Sequence, residues 1–189
     1  EESPERLTIS DVQLGVNYVM IISTNAGLWG YNLGDTVQFV SLDPYRVVVS
    51  GRIKHFISAF GEHVIAKEVE EAMREAIAQS DARVNEFSVA PRVEVEGELP
   101  YHEWLVEFEH PPTDINRFLS VLDRTLQEQN SYYYDLIAGK ILQPLKVTHI
   151  KPGGFQEYMK SIGKLGGQNK VQRLANDCKL ADALQAFRE

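Results

Sequence analysis

Gly51-Arg52-Ile53-Lys54-His55-Phe56-Ile57-Ser58-Ala59-Phe60-Gly61-Glu62-His63-Val64 is the stretch whose reading decides the fold. It is strand-like, and it runs into a helical pattern that begins near Ala66. Before it the sequence reads as β; after it, as alternating α and β. Upstream, Asn17-Tyr18-Val19-Met20-Ile21-Ile22-Ser23-Thr24 is a β-branched and aromatic run that predicts a strand buried on both faces. Val37 to Val40 and Tyr45 to Val49 follow, joined by the turn Leu42-Asp43-Pro44, so residues 15–50 predict a small antiparallel lobe.

Downstream, Val69, Ala72, Met73, Ala76 and Ile77 recur at helical spacing. Strands are expected over residues 84–93 and 101–109. In the second, Trp104, Val106 and Phe108 alternate with polar positions, which predicts one wet face. A helix follows with Thr113 or Asp114 as N-cap, then a third over residues 131–142, a short strand at residues 145–150, a helix introduced by Pro152-Gly153-Gly154, and a last one capped by Asn176 or Asp177. The order is α+β: a small antiparallel β lobe followed by a ferredoxin-like α/β sandwich with helices on one face of a mostly antiparallel sheet. The expected divisions are residues 1–50, a hinge at 51–54, and a mobile domain at 55–189.

Composition narrows the function classes. With 189 residues, 43 % hydrophobic and 24 % charged, the chain has the make-up of a folded protein. Its net charge of −8 argues against a nucleic-acid partner, which needs clustered positive charge. No apolar run reaches the roughly 18 residues of a membrane span, and the acidic start is unlike a signal peptide, so a cytoplasmic chain without a membrane partner is expected. Cys178 stands alone and reads as a packed thiol near a helix start.

Three stretches carry chemistry: Tyr31-Asn32-Leu33-Gly34-Asp35, Gly51-Arg52-Ile53-Lys54 and Gly166-Gly167-Gln168-Asn169-Lys170-Val171-Gln172-Arg173. A carboxylate such as Asp35 can accept two hydrogen bonds side by side, as vicinal ribose hydroxyls require, and a planar guanidinium such as Arg52 suits ribose or phosphate oxygens. A lysine in a glycine-flanked loop suits delivery to a developing phosphoryl charge. The plainer readings are a surface turn for Asp35, an ion pair with Glu62 for Arg52, and a solvated basic loop for Lys160, Lys164, Lys170 and Arg173. Gly163-Lys164 lacks the other residues of a P-loop, and no nucleophile elbow for a serine hydrolase is present. The five histidines show no metal-ligand spacing and read as core-edge or surface residues, with His55 and His63 flanking the joint. Glu68 to Glu71 reads as the acidic start of a helix, and Tyr132-Tyr133-Tyr134 as an aromatic helix start packed on the sheet.

The order Tyr-x-x-Gly-Asp, Gly-Arg-x-Lys, Gly-Glu-x-Val, Glu-Val-Glu and a late lysine resembles the adenylate-forming superfamily of acyl-CoA synthetases, adenylation domains and luciferases. More closely, Thr24 to Tyr31 with Gly34-Asp35 and Gln168 to Arg173 resemble the auxin-responsive acyl acid amido synthetases. The resemblance implies ATP and Mg²⁺ as cofactors, no Mg²⁺ ligand being identifiable in this chain. It also implies Tyr31, Asp35 and Arg52 as nucleotide-binding residues, Lys54 as hinge and Lys170 as the catalytic residue. Asn32 departs from the family pattern, where an arginine is common. The implied activity is adenylation of a carboxylic acid and transfer of the acyl group to an amine or amino acid. The chain would be the C-terminal part of such an enzyme, with residues 1–50 as the end of its large N-terminal domain, and inactive alone. Two alternatives stand beside this reading: a ligase with coenzyme A as acceptor, and a non-catalytic ferredoxin-like module that binds a small ligand or a partner.

Overall fold

The computed structural model describes residues 6–52, 56–57, 59–93, 97–164, 166 and 169–189. The chain divides into two compact units, Glu1–Lys54 and His55–Glu189. It is α+β, as expected, with an antiparallel sheet in the first unit and a mixed sheet with helices in the second.

The first unit is a three-stranded antiparallel sheet, β1 (Asn17–Ile22), β2 (Tyr31–Leu42) and β3 (Tyr45–Arg52), in that order. β1 is not buried on both faces. Its residues alternate between exposed and half-buried, and Val19 and Ile21 are exposed, as are Val47, Val48 and Val49 of β3. Among the described residues only Val37 and Phe39 form a buried apolar centre there, with Phe39 packed edge-on against Tyr18 and Tyr45. A run that is apolar on both sides specifies two covering layers, and the described residues cover one face of β1 only in part and leave the other exposed.

In the second unit the short strands β4 (Phe56–Ile57) and β5 (Val64–Ile65) form a separate ladder. The helix α1 (Ala66–Ala78) then buries Val69, Ala72, Met73 and Ala76, four residues of the predicted stripe. Its start is fixed by Glu68, whose carboxylate accepts from the Ile65 N–H at 2.9 Å. β6 (Arg83–Arg92) pairs antiparallel with β7 (Tyr101–His110), and β7 pairs parallel with β8 (Lys146–Ile150). The β-α-β-β-α-β order is therefore present, but β5 stays with β4, and the parallel neighbour of β7 is β8.

Helices α2 (Ile115–Gln129) and α3 (Ser131–Ala138) join α1 over Phe87, Trp104, Val106 and Phe108. Asp114 is the N-cap of α2, accepting from the Arg117 N–H at 3.0 Å. The wet face expected for β7 is covered instead. α4 (Gly154–Ser161) and α5 (Lys179–Leu184) pack a second core there around Ala90, Leu105, Ile150 and Phe155. The polar residues that suggested water are paired: Glu103 accepts from Arg92 Nε and from Thr148 Oγ1, each at 2.5 Å, and Glu107 accepts from the Gly153 N–H at 3.0 Å at the start of α4. Alternation reported polarity correctly, but a carboxylate with donors around it can be buried. α3 stops at Ala138, short of the expected Leu142, and Cys178 rather than Asn176 or Asp177 occupies the N-cap position of α5. The Cys178 thiol donates to the Pro91 carbonyl at 3.1 Å.

Candidate functional site

Asp35 lies in β2 directly opposite Arg52 in β3, and the next pair along the ladder is Thr36 with Gly51. Two neighbouring features shape this end of the sheet. Gly34 has φ +76°, a left-handed conformation that disfavours other residues, and its N–H donates to Asn32 Oδ1 at 2.8 Å. At Gly51 an added Cβ would stand 3.3 Å from Thr36 Oγ1, so the missing side chain allows β3 its close approach. Beyond Gly51 the register shifts, with Val37 facing Val49, so a bulge at Ser50 sets the Asp35–Arg52 end apart from the rest of the ladder. Asp35 is half-buried; Tyr31 is half exposed, four residues earlier and opposite Ile22. The Arg52 side chain and Lys54 lie outside the described atoms.

In the second unit Lys170 is exposed and lines an open cleft of about 740 Å³, together with Lys164 and Arg173. The cleft lies between α1, the start of β6 and α4, with Phe155 and Met159 contributing apolar wall. Both candidate lysines thus face the same space. Among the described residues neither makes an ion pair. Arg173 does not fit the reading as part of a solvated loop. Its guanidinium stacks on the Phe87 ring, 3.8 Å from the centroid, donates to Glu86 at 2.8 Å and to the Phe87 carbonyl, and lies 3.5 Å from Glu70.

Sequence reasoning missed a second polar centre, Glu62 with His102. Both side chains are fully buried, with His102 Nε2 2.8 Å from Glu62 Oε1. His102 is therefore an interior residue, not a core-edge or surface one. Its ring stacks between Phe60 and Tyr133, at 6.2 and 5.1 Å between centroids, and its Nδ1 is buried without a hydrogen-bond partner among the described residues. The other Glu62 oxygen accepts from the Phe60 N–H at 2.9 Å. Burial pushes the Glu62 carboxyl up, but the hydrogen bond and charge of His102 outweigh it, and the group sits below its ordinary value of 4.5. The carboxylate offered as an ordinary partner for Arg52 is thus engaged within its own unit. The signal in the sequence was the Gly61-Glu62 turn, where Gly61 has φ +91°. Nothing local pointed forty residues ahead to His102.

Among the described residues no group of three or more His, Cys, Asp and Glu side chains is placed to hold a metal ion. No helix among them is long and apolar enough to cross a membrane.

The sequence pattern of the GH3 family C-terminal domain matches residues 67–179, and that of the GH3 family central domain matches residues 1–52. The chain belongs to the GH3 family. Among GH3 relatives it is 26 % identical over 198 residues to the indole-3-acetic acid-amido synthetase GH3.3 of Arabidopsis thaliana, covering 98 % of this chain and 33 % of that protein. It is 26 % identical over 162 residues to a GH3 domain-containing protein of Mus musculus, covering 82 % and 30 %. The chain therefore spans about a third of the length of these curated relatives. The GH3.15 acyl acid amido synthetase has the same fold, with a TM-score of 0.74 at 18 % identity over 97 % of this chain and 36 % of that one. For the AtGH3.15 acyl acid amido synthetase in complex with 2,4-DB the TM-score is 0.72 at 20 % identity, over 97 % and 34 %. The expected resemblance to the acyl acid amido synthetases is thereby borne out at the level of family and fold.

Proposed function

We propose that this GH3 chain is the C-terminal part of an ATP-dependent acyl acid amido synthetase of the cytoplasm. It would work with its own N-terminal domain on a small carboxylic acid and an amine or amino acid. The observation that carries the reading is the register of β2 and β3, which sets Asp35 opposite Arg52 across seventeen residues of sequence. A carboxylate for vicinal hydroxyls and a guanidinium for ribose or phosphate oxygens suit one end of a nucleotide, and two glycines keep the backbone there unobstructed. The exposed apolar faces of β1 and β3 would pack against the remainder of the longer protein.

The reaction needs two steps. In the first, an oxygen of the acid attacks the α-phosphorus of ATP, the bond to the β-phosphate oxygen breaks, and pyrophosphate leaves. Negative charge grows on the phosphoryl oxygens, and the Lys170 ammonium would stabilise it, more strongly as water is excluded. Tyr31, Asp35 and Arg52 would hold the nucleoside in place, and rotation about Lys54 would carry Lys170 in and out. In the second step the amine nitrogen attacks the acyl carbon, the carbon–oxygen bond to AMP breaks, and the nitrogen gives up a proton. Mg²⁺ would neutralise triphosphate charge, and this chain offers no cluster for it among the described residues.

The test is acid-dependent exchange of labelled pyrophosphate into ATP, in the full-length protein that carries this chain. Lys170→Ala should lower exchange by roughly 100-fold or more, and Lys164→Ala by less than about 3-fold. Asp35→Asn should act mainly through the KM for ATP. A protein that neither exchanges with any acid in a broad panel nor binds ATP would leave this reading without support.

A further inference from the structure

The cleft that holds Lys170 is also lined by three carboxylates, Glu70, Glu86 and Glu107. Each is engaged by something other than a lysine. Glu107 accepts from the Gly153 and Phe155 N–H groups, at 3.0 and 3.4 Å, and from Asn85 Nδ2 at 3.4 Å. Glu86 is held by Arg173 and by the Phe87 N–H, and Glu70 has Arg173 at 3.5 Å. One guanidinium thus occupies both of the acids that no helix end engages.

The same residue fixes the chain just beyond Lys170. Leu174 is bridged to Val89 in parallel fashion; the Val89 N–H donates to the Arg173 carbonyl at 2.9 Å, and the Ala175 N–H donates to the Val89 carbonyl at 2.8 Å. Ser88 Oγ donates to the Gln172 carbonyl at 2.6 Å. Residues 172–175 are in effect a short added strand on the free edge of β6, clamped by Arg173 on the Phe87 ring.

We infer that Arg173 is a positioning residue for Lys170: it anchors the strand that begins two residues after the lysine and occupies the two carboxylates that would otherwise pair with its ammonium. This rests on the adenylating reading above. Only two residues, Val171 and Gln172, lie between clamp and lysine, so slack at Arg173 would be felt at Lys170 at once. A freed carboxylate in the same cleft would compete with the transferring phosphoryl group for the ammonium. Lysine cannot replace Arg173, because it has no flat face to stack on Phe87 and no second nitrogen to lie beside Glu70 while the first, Nη1 in Arg173, donates to both Glu86 and the Phe87 carbonyl.

The test uses pyrophosphate–ATP exchange in the full-length protein, comparing wild type with R173M, R173K, R173M/E86Q, K170A and K170A/R173M. R173M should lower kcat by roughly 10- to 100-fold and change the KM for ATP by less than about 3-fold, since the lysine acts on the transition state. R173K should fall between the two. R173M/E86Q should recover roughly 3-fold or more over R173M, because one competing carboxylate is gone. K170A/R173M should match K170A, as Arg173 acts through the lysine alone. Hydrogen exchange on the Val89 and Ala175 amides, measured in this chain, should show protection in wild type that R173M loses. Losses that multiply in the double variant, or an R173M enzyme with wild-type kcat, overturn the inference. If R173M does not fold, R173K decides, and wild-type kcat in R173K overturns it. Wild-type exchange in K170A would instead strike the adenylating role of that lysine, whatever Arg173 does.

Discussion

Replacing His102 by leucine leaves the Glu62 carboxylate in the interior with, among the described residues, only backbone N–H donors, those of Phe60 and Glu62 itself. Glu62 and His102 have no exposed side-chain surface and meet at 2.8 Å, so water cannot take the place of the lost donor. Removing one partner of a buried pair costs about 3–5 kcal/mol. A domain is stable by about 5–15 kcal/mol, so the loss is a large part of what the second unit has. The assay is urea unfolding of this chain followed by fluorescence. Trp104 is fully buried and stacked on Phe87 at 5.7 Å, and so reports on the second unit, whereas Trp29 of the first is 84 % exposed.

The pH dependence separates charge from packing. In wild type the Glu62 carboxyl is held below 4.5, so its contribution to stability is fully present above about pH 4.5 and is lost as pH falls through the lower folded value. In His102→Leu both influences of His102 are gone, and burial, the largest of the causes, is opposed only by the backbone hydrogen bonds of Phe60 and Glu62, so the folded value rises. The penalty is then complete at neutral pH, shrinks as pH falls through the raised value, and vanishes below 4.5, where both states are protonated. Adding Glu62→Gln keeps an acceptor for the Phe60 N–H without a charge and should restore roughly 2–3 kcal/mol at pH 7. A loss below about 1 kcal/mol at pH 7, or the same loss at pH 4.5 and pH 7, would refute the reasoning and leave only a packing effect.

Three further outcomes follow from buried geometry in the second unit. Gly154→Ala would place its Cβ 2.5 Å from Ile150 Cγ2 and 3.2 Å from Phe187 Cβ; a loss of about 1–3 kcal/mol in thermal unfolding is expected, and an unchanged melt would contradict the close approach of α4 to β8. Arg92→Leu strips the nearly buried Glu103 of its ion pair and leaves it Thr148 as its one partner among the described residues, which should cost about 3 kcal/mol in urea unfolding; Asp182, more than half exposed, adds little to that loss. At Glu68 burial raises the carboxyl and outweighs the Ile65 and Asn130 hydrogen bonds that lower it, so ionisation weakens the fold as pH rises above 4.5; Glu68→Gln should raise the urea midpoint at pH 7 and leave it unchanged at pH 4.

What was legible in the sequence depended on how far the signal had to reach. The stripe Val69, Ala72, Met73 and Ala76 is periodic, and α1 buries those residues; Asp114 caps α2 because a side chain three residues from an N–H needs no tertiary information. The β-branched run of β1 was legible as apolar but not as covered, since a strand's composition states what it would pack against and not whether that layer lies in the same unit. The polar residues Glu103 and Glu107 suggested a wet face because their partners, Arg92, Thr148 and the start of α4, lie 11 to 48 residues away. His102 was misplaced for the same reason. For the candidate site, Asp35 and Arg52 were legible by spacing and resemblance, and the ladder sets them opposite one another. Arg173 carried no local sign of its clamp, because Glu70, Glu86 and Phe87 precede it by more than eighty residues.

The clamp also changes how delivery of Lys170 is to be understood. A lysine on a loose glycine loop would sample many positions, and each productive encounter would require freezing several backbone residues at about 1–2 kcal/mol apiece. Residues 172–175 are instead bonded to β6, and the lysine stands two residues before that added strand. Asp35 and Arg52 are fixed by a different ladder in the other unit. If catalysis brings the two sets together, each arrives already ordered, and the entropy to be lost is that of two bodies rather than of a loop. Loosening either ladder should then lower kcat without altering the chemistry of the residues it carries. Lengthening the glycine segment 163–167 by one or two residues should do less harm than removing Arg173, and exchange rates ranked in the opposite order would return Lys170 to a freely moving loop.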